Sequence, residues 1–166
     1  MSLEENDFVS YDKAERITGS KAVLIEGAVL PASTSAVDFL NSFIFPDDVG
    51  TITSHGYSST FTSRIGFDYF TKTDGTSAGL PKSYLETTTS NGAPDKKVVR
   101  DISEILYDDS RRQTHNLTTE TDIKLSTSKT LATRTIELLV PTDGYDIFGR
   151  LHQFTRVTTD RDLVTR

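Results

Sequence analysis

Two adjacent segments of this sequence alternate between apolar and polar residues, and this alternation most constrains what the chain can fold into. From Leu117 to Leu125, leucine, isoleucine and threonine at odd positions alternate with threonine and charged residues at even positions. Between positions 132 and 140, alanine, isoleucine, leucine and valine alternate mostly with threonine and glutamate. A period of two is that of a β-strand. Because residues 126–130 are a short connection, we predict that the two strands form an antiparallel hairpin.

Other segments predict further strands. Residues 60–72 alternate between aromatic or aliphatic residues and polar or charged ones, and Gly66 within them suggests a bulge. Residues 84–89 are predicted to return antiparallel to this strand. The apolar run from Ala22 to Leu30 also predicts a strand, whereas residues 1–20 are expected to form an N-terminal arm or irregular segment.

The composition supports a protein rich in strands. The chain has 166 residues, of which 25 are threonine and 17 are serine, and threonine favours half-buried pleated surfaces over helices. Residues 1–50 hold three basic and nine acidic residues, so the whole net charge of −6 lies there. This balance argues against a protein whose main affinity comes from the phosphate backbone of a nucleic acid.

Helices are expected to cover the sheet. Apolar residues at helical spacing predict a helix over residues 33–45. A second, amphipathic helix is predicted at the C-terminus by Ile147, Phe148, Leu151 and Phe154. Residues 95–107 fit either a helix or a strand. The expected fold class is therefore α+β, a single domain over residues 1–166 in which helices cover one face of an antiparallel sheet.

No constellation of residues indicates catalysis. The chain has no cysteine, and its three histidines lie in different elements without partners at metal-ligand spacing. Neither a nucleophile elbow nor a glycine-rich phosphate loop is present. We therefore expect no enzyme activity, no cofactor and no metal. No apolar run is long enough to span a membrane, and the acidic N-terminus does not look like a secretory signal.

Nucleic acid is the one ligand class that the sequence makes worth testing. Arg64, Lys72 and Lys124 lie at the polar positions of predicted strands and are candidate RNA contacts. Acidic residues interrupt the same positions, and such a mixed charged face is also typical of any soluble sheet.

The C-terminal third carries a resemblance to a known family. A strand begins at His115-Asn116-Leu117 and is followed by a loop of serine and threonine. The next strand ends at Val140-Pro141, and Thr142-Asp143-Gly144 leads into the predicted terminal helix. This order of elements resembles that of the coat proteins of single-stranded RNA bacteriophages. The resemblance implies that two subunits interlock C-terminal helices across a continuous sheet, whose exposed face binds the RNA genome.

We therefore expect a non-enzymatic structural protein that self-assembles as a homodimer and beyond, as a phage or virus coat or another particle component. Its partners would be further copies of itself and genomic RNA. It would be located in the virion, after assembly in the host cytoplasm. In this hypothesis Ile147, Phe148, Leu151 and Phe154 pack on a partner subunit.

Two alternatives stay open. One is a small α+β enzyme or ligand-binding domain with an aromatic pocket between the sheet and the helix at 33–45, lined by Phe39, Phe43, Phe61 and Phe67. The other is a secreted or surface module resembling an adhesin.

Overall fold

The structure, a computed structural model, describes residues 2–26, 58–71 and 77–161. Within these ranges the chain forms one eight-stranded antiparallel sheet, in which each strand pairs with the next strand in the sequence. The first and last strands are therefore the two edges of the sheet. The strands are β1 (Ser2–Tyr11), β2 (Ile17–Glu26), β3 (Ser58–Thr71), β4 (Ser77–Ser90), β5 (Lys96–Tyr107), β6 (Gln113–Lys124), β7 (Lys129–Leu139) and β8 (Thr155–Arg161).

The predicted α+β class is wrong, because the described residues form an all-β sheet and contain no helix. The predicted helix at 33–45 lies outside the described residues. The predicted hairpin around residues 126–130 is confirmed by the antiparallel pair β6 and β7, and the strand pair at 60–72 and 84–89 by β3 and β4. Residues 1–20, expected to form an arm or irregular segment, contribute β1 and the beginning of β2.

The segment 95–107, which fitted either a helix or a strand, is strand β5. A bulge accounts for its helical spacing. Ser103 and Leu106 pair with Leu117 and His115, so two residues of β5 oppose one of β6 at this point. The first of them, Glu104, has a positive φ of 51°. This extra residue lets two isoleucines three positions apart share a face, and both Ile102 and Ile105 are buried.

The predicted C-terminal helix is also wrong, since residues 147–154 form part of an irregular connection between β7 and β8. The Asp146 carboxylate accepts hydrogen bonds from the backbone N–H groups of Phe148 and Arg150, at 2.8 and 2.9 Å. Gly149 adopts a φ of 77°, which a helix does not allow. The aspartate side chain thus captures the Arg150 N–H, which in a helix would donate to the Asp146 carbonyl.

Few apolar side chains are fully buried in this sheet. Among the described residues they are Phe61, Ile102, Ile105 and Val140. The last of these packs against Gly144 in the connection between β7 and β8. A Cβ atom on Gly144 would lie 2.5 Å from Val140 Cγ1 and 2.7 Å from the carbonyl oxygen of Gln153. The backbone of this connection therefore approaches its neighbours too closely for any side chain at position 144.

We expect Gly144→Ala to lower the free energy of unfolding by about 1–3 kcal/mol, because the added methyl group forces the connection away from Val140. Urea unfolding followed by circular dichroism measures the change. Gly92→Ala is the matched control, since its Cβ would meet nothing nearer than Ser90 Oγ at 3.6 Å. Equal stability of the two variants would contradict the tight packing described at Gly144.

Candidate functional site

Six successive strands each place one charged residue at the same cross-strand position, and the signs alternate. Because directly paired residues point to the same face of a sheet, all six lie in one line across that face. We call this line the ionic row. Its members, from β3 to β8, are Arg64, Glu86, Arg100, Glu120, Arg134 and Asp160.

Side-chain contacts join the first five members of the ionic row, from Arg64 to Arg134. Arg64 Nε donates to Glu86 Oε2 at 2.8 Å, and Arg100 Nη1 donates to Glu86 Oε1 at 3.0 Å. The Glu120 carboxylate accepts from Arg100 Nε at 2.5 Å and from Arg134 Nε at 2.6 Å. Each glutamate therefore bridges two arginines, and the contacts are charge-assisted hydrogen bonds.

The two glutamate carboxylates of the ionic row lie deeper than the guanidinium groups, whereas Asp160 at the end of the row is exposed. The Glu120 side chain is 4% exposed, whereas that of Arg134 is 44% exposed. Burial alone would raise the pKa of Glu120, but the hydrogen bonds from Arg134 and Arg100 outweigh it and hold that pKa below its ordinary value. The buried carboxylate is thus kept charged by the two arginines that cover it.

The structure does not bring the two described RNA candidates, Arg64 and Lys124, together. Arg64 belongs to the ionic row and is paired with Glu86, while Lys124 Nζ lies 3.6 Å from Asp95 Oδ2 at the end of β6. Lys72 lies outside the described residues. Both described candidates thus have an acidic neighbour, so an RNA phosphate would have to compete with a carboxylate for each of them.

Three loops of the same construction lie at one end of the sheet, where β1–β2, β5–β6 and β7–β8 are joined. Each has an aspartate followed four residues later by an arginine, and the arginine N–H and Nε both donate to the aspartate carboxylate. The residue before the arginine has a positive φ in all three. We call them the Asp–Arg loops: Asp12–Arg16, Asp108–Arg112 and Asp146–Arg150.

Two of the Asp–Arg loops are also held by a tyrosine from elsewhere in the chain. The Arg16 guanidinium lies over the ring of Tyr69, and that of Arg112 over the ring of Tyr145, at 5.3 and 4.8 Å. Each tyrosine hydroxyl donates, at 2.6 Å, to the carbonyl of the residue that follows the arginine. The tyrosines thereby fasten two loops to neighbouring parts of the sheet.

The third Asp–Arg loop differs in what it presents to solvent. Its two tip residues, Ile147 and Phe148, are 93% and 76% exposed, and Leu151 and Phe154 are exposed as well. These are the four predicted interface residues. The structure places them together in the connection between β7 and β8, as an exposed apolar segment and not as the face of a helix.

The edge strand that follows this segment is equally open. All seven residues of β8 are exposed, so no described residue covers either of its faces. Among the described strands, its backbone pairs with β7 along one side only. Sequence analysis missed this strand because the apolar spacing of residues 147–154 suggested a helix continuing toward the chain end.

A cavity of about 430 Å³ lies between the second Asp–Arg loop and residues 140–145, where the connection from β7 to β8 begins. Its polar lining includes Asp108 and Arg112, which are already paired with each other. It is not the predicted aromatic pocket: Phe61 is buried, Phe67 stacks on Tyr84 with ring centres 5.0 Å apart, and the other two phenylalanines lie outside the described residues. Sequence reasoning could not locate this cavity, because two separate loops form it.

The histidines do not form a metal centre within the described ranges. His115 Nδ1 lies 2.9 Å from the carbonyl oxygen of Glu104, and its Nε2 lies 3.1 Å from Glu137 Oε1. His152 is in the connection before β8, and His55 lies outside the described residues. No group of three or more potential metal ligands occurs among the residues that the structure describes.

We expect Glu120→Gln to lower the free energy of unfolding by about 2–3 kcal/mol, because it leaves Arg100 and Arg134 without the charge they share. Chemical unfolding at neutral pH measures the loss. The matched control is Asp68→Asn, the same acid-to-amide change in an exposed pair with Lys82. That control should unfold like the parent; an equal loss in both variants would contradict a special role for the ionic row.

Stability should also fall in acid. The pKa of Glu120 lies below its ordinary value of 4.5, so its contribution is complete above that pH and is lost as the pH falls further. Hydrogen bonds from the loop arginines likewise lower the pKa values of Asp12, Asp108 and Asp146. Unfolding measured from pH 7 to 3 should show this decline. The free energy of unfolding of the Glu120→Gln variant should fall less over this pH range. An equal fall in the variant and the parent would contradict the contribution assigned to Glu120.

Comparisons with known proteins add no relative: no family model, curated protein or solved structure matches this chain. Within the described residues, no helix is long and apolar enough to cross a bilayer. The proposals below therefore rest on the sheet, its loops and its edges.

Proposed function

We propose that this chain is a non-enzymatic structural protein that self-assembles, and that the product is a particle such as a phage or virus coat. The observation that carries the proposal is the apolar tip of the third Asp–Arg loop. Covering an apolar side chain of this size is worth about 1.5–3 kcal/mol, so Ile147 and Phe148 together favour association strongly.

Comparison with the other two Asp–Arg loops shows that the loop geometry itself does not need apolar residues. The positions of Ile147 and Phe148 are occupied by Lys13 and Ala14 in the first loop. In the second loop they are Asp109 and Ser110. The backbone hydrogen bonds and the positive φ are nevertheless the same. The apolar tip is thus unnecessary for folding the loop, and contact with another molecule supplies a reason for it.

In this proposal the other molecule is a further copy of the chain, and the assembled location is the virion, formed in the host cytoplasm. Genomic RNA is proposed as the content of the particle. Its contact with Arg64 or Lys124 would require displacement of Glu86 or Asp95, so these pairs give RNA binding less support than the apolar tip gives assembly.

We expect the purified protein to form species well above its monomer mass of 18.4 kDa in multi-angle light scattering at micromolar concentration. Replacing Ile147 and Phe148 by serine should weaken association at least about tenfold, since exposed apolar anchors dominate such contacts. Electron microscopy shows whether the large species are shells or tubes.

The control for this experiment is Tyr11→Ser, which removes a large exposed side chain next to the first Asp–Arg loop. It should leave the size distribution unchanged. A monodisperse monomer for the parent protein, or the same loss of association in the Tyr11→Ser variant, would overturn the proposed role of the apolar tip.

A further inference from the structure

We propose that β8 pairs antiparallel with β8 of a second copy, about a two-fold axis through Thr158, so that the sheet continues from one chain into the next. This inference rests on the proposed self-assembly and names one of its contacts. It concerns the open edge of the sheet, which is distinct from the apolar tip of the third Asp–Arg loop.

The exposed edge leaves backbone groups of β8 available. Inner strands pair on both sides, whereas β8 pairs with β7 alone among the strands that the structure describes. An unpaired edge strand is a template for another strand. The seven residues Thr155–Arg161 span about 23 Å, and their side chains are exposed on both faces, so nothing in the described structure blocks a second strand from lying alongside.

The charges of β8 select one register. When two copies overlap along the full strand, Thr158 faces Thr158 of the second copy, and Arg156 faces Asp160 in both directions. A shift of one residue one way places Arg156 opposite Arg161, and a shift the other way places Arg156 and Asp160 opposite threonines. Of these three registers, the one of greatest overlap is thus the one that makes two opposite-charge pairs and no like-charge pair.

The same register extends the ionic row. Asp160 ends the row and faces Arg134 of its own chain, while no described strand lies on its other side. In the proposed pair that side is filled by Arg156 of the second copy. Asp160 would then lie between two arginines, as Glu120 lies between Arg100 and Arg134. Within its own chain Arg156 lies directly opposite Leu138, so the proposed pair does not require it to leave a directly opposite acidic residue.

A cysteine placed on the proposed axis tests the register directly, because the chain has no cysteine of its own. In the full-length protein, Thr158→Cys would put two thiols on Cβ atoms about 4.5–5.5 Å apart, near enough to bond under mild oxidation. We expect rapid formation of a covalent dimer on a non-reducing gel. Thr159→Cys is the matched control, and it should cross-link at least about tenfold more slowly because that position faces Val157 of the second copy.

Charge reversal gives an independent test. Arg156→Glu would set an acid opposite Asp160 of the second copy, and it should weaken dimerisation at least about tenfold at low salt and less at high salt. Lys13→Glu, an equal charge change in the first Asp–Arg loop, should leave dimerisation unaffected. Circular dichroism checks that both variants keep the strand content of the parent.

The outcomes separate this inference from the proposed function. If the parent protein associates but does not cross-link at position 158, the proposed β8 pair is overturned and self-assembly still stands. Pairing of β8 with β1 of another copy would give this result. Equal cross-linking at positions 158 and 159 would mean random collision and would also overturn the register. A protein that stays monomeric in light scattering would overturn both proposals.

Discussion

The cross-strand attraction within the ionic row is the interaction on which the register of this sheet most depends. A thin sheet with few buried apolar side chains obtains little guidance from a hydrophobic core, and threonine-rich strands look similar on both faces. A slip of one residue between β5 and β6 would turn Arg100 away from Glu120 and leave that buried carboxylate with Arg134 as its one arginine of the row. The desolvation cost of such a charge makes the slipped arrangement unfavourable.

This role of the ionic row also explains how a sheet rich in serine and threonine adopts a single register. Threonine supplies strand propensity in six of the eight strands but distinguishes poorly between registers. The ionic row supplies that distinction at one point in each strand from β3 to β8. The bulges of β3 and β5 follow the residues of the ionic row in each strand. In β3 the register shifts after the pair of Ile65 with Leu85, and in β5 it shifts after the pair of Ser103 with Leu117. The regular part of the sheet is thus the part that the row crosses.

Local alternation was sufficient to predict β3, β6 and β7, because each has a period of two, and β4 was predicted as the strand that returns antiparallel to β3. It was insufficient for β5, since the residue inserted at Glu104 gives Ile102 and Ile105 a helical spacing. It also misidentified residues 147–154, where the decisive interaction is a hydrogen bond from the backbone to the Asp146 side chain. The spacing of apolar residues does not show that a side chain competes for the backbone N–H groups. The aspartates followed four residues later by arginine, which occur in all three Asp–Arg loops, are a signal in the sequence for these loops.

The candidate site likewise has one part that could be predicted from the sequence and one part that could not. Exposed apolar residues were identifiable at positions 147–154 from their spacing, but their geometry as a loop tip depended on Asp146 and Gly149. The ionic row could not be found from the sequence, because it exists only once six strands are in register. Its only local sign is a single charge flanked by threonine, as at Glu120 and Arg134.

A two-fold contact through β8 has a consequence for any larger assembly. Such a contact uses the same strand in both copies, so it closes at a dimer and leaves no β8 edge for a third chain. Growth into a particle then requires a different surface on each dimer. The apolar tip at Ile147 and Phe148 lies in the connection before β8, outside the paired residues, and remains exposed after the edge is used. The edge would thus define the dimer and the loop tip would join dimers to one another, which is why the two contacts need separate variants to be told apart.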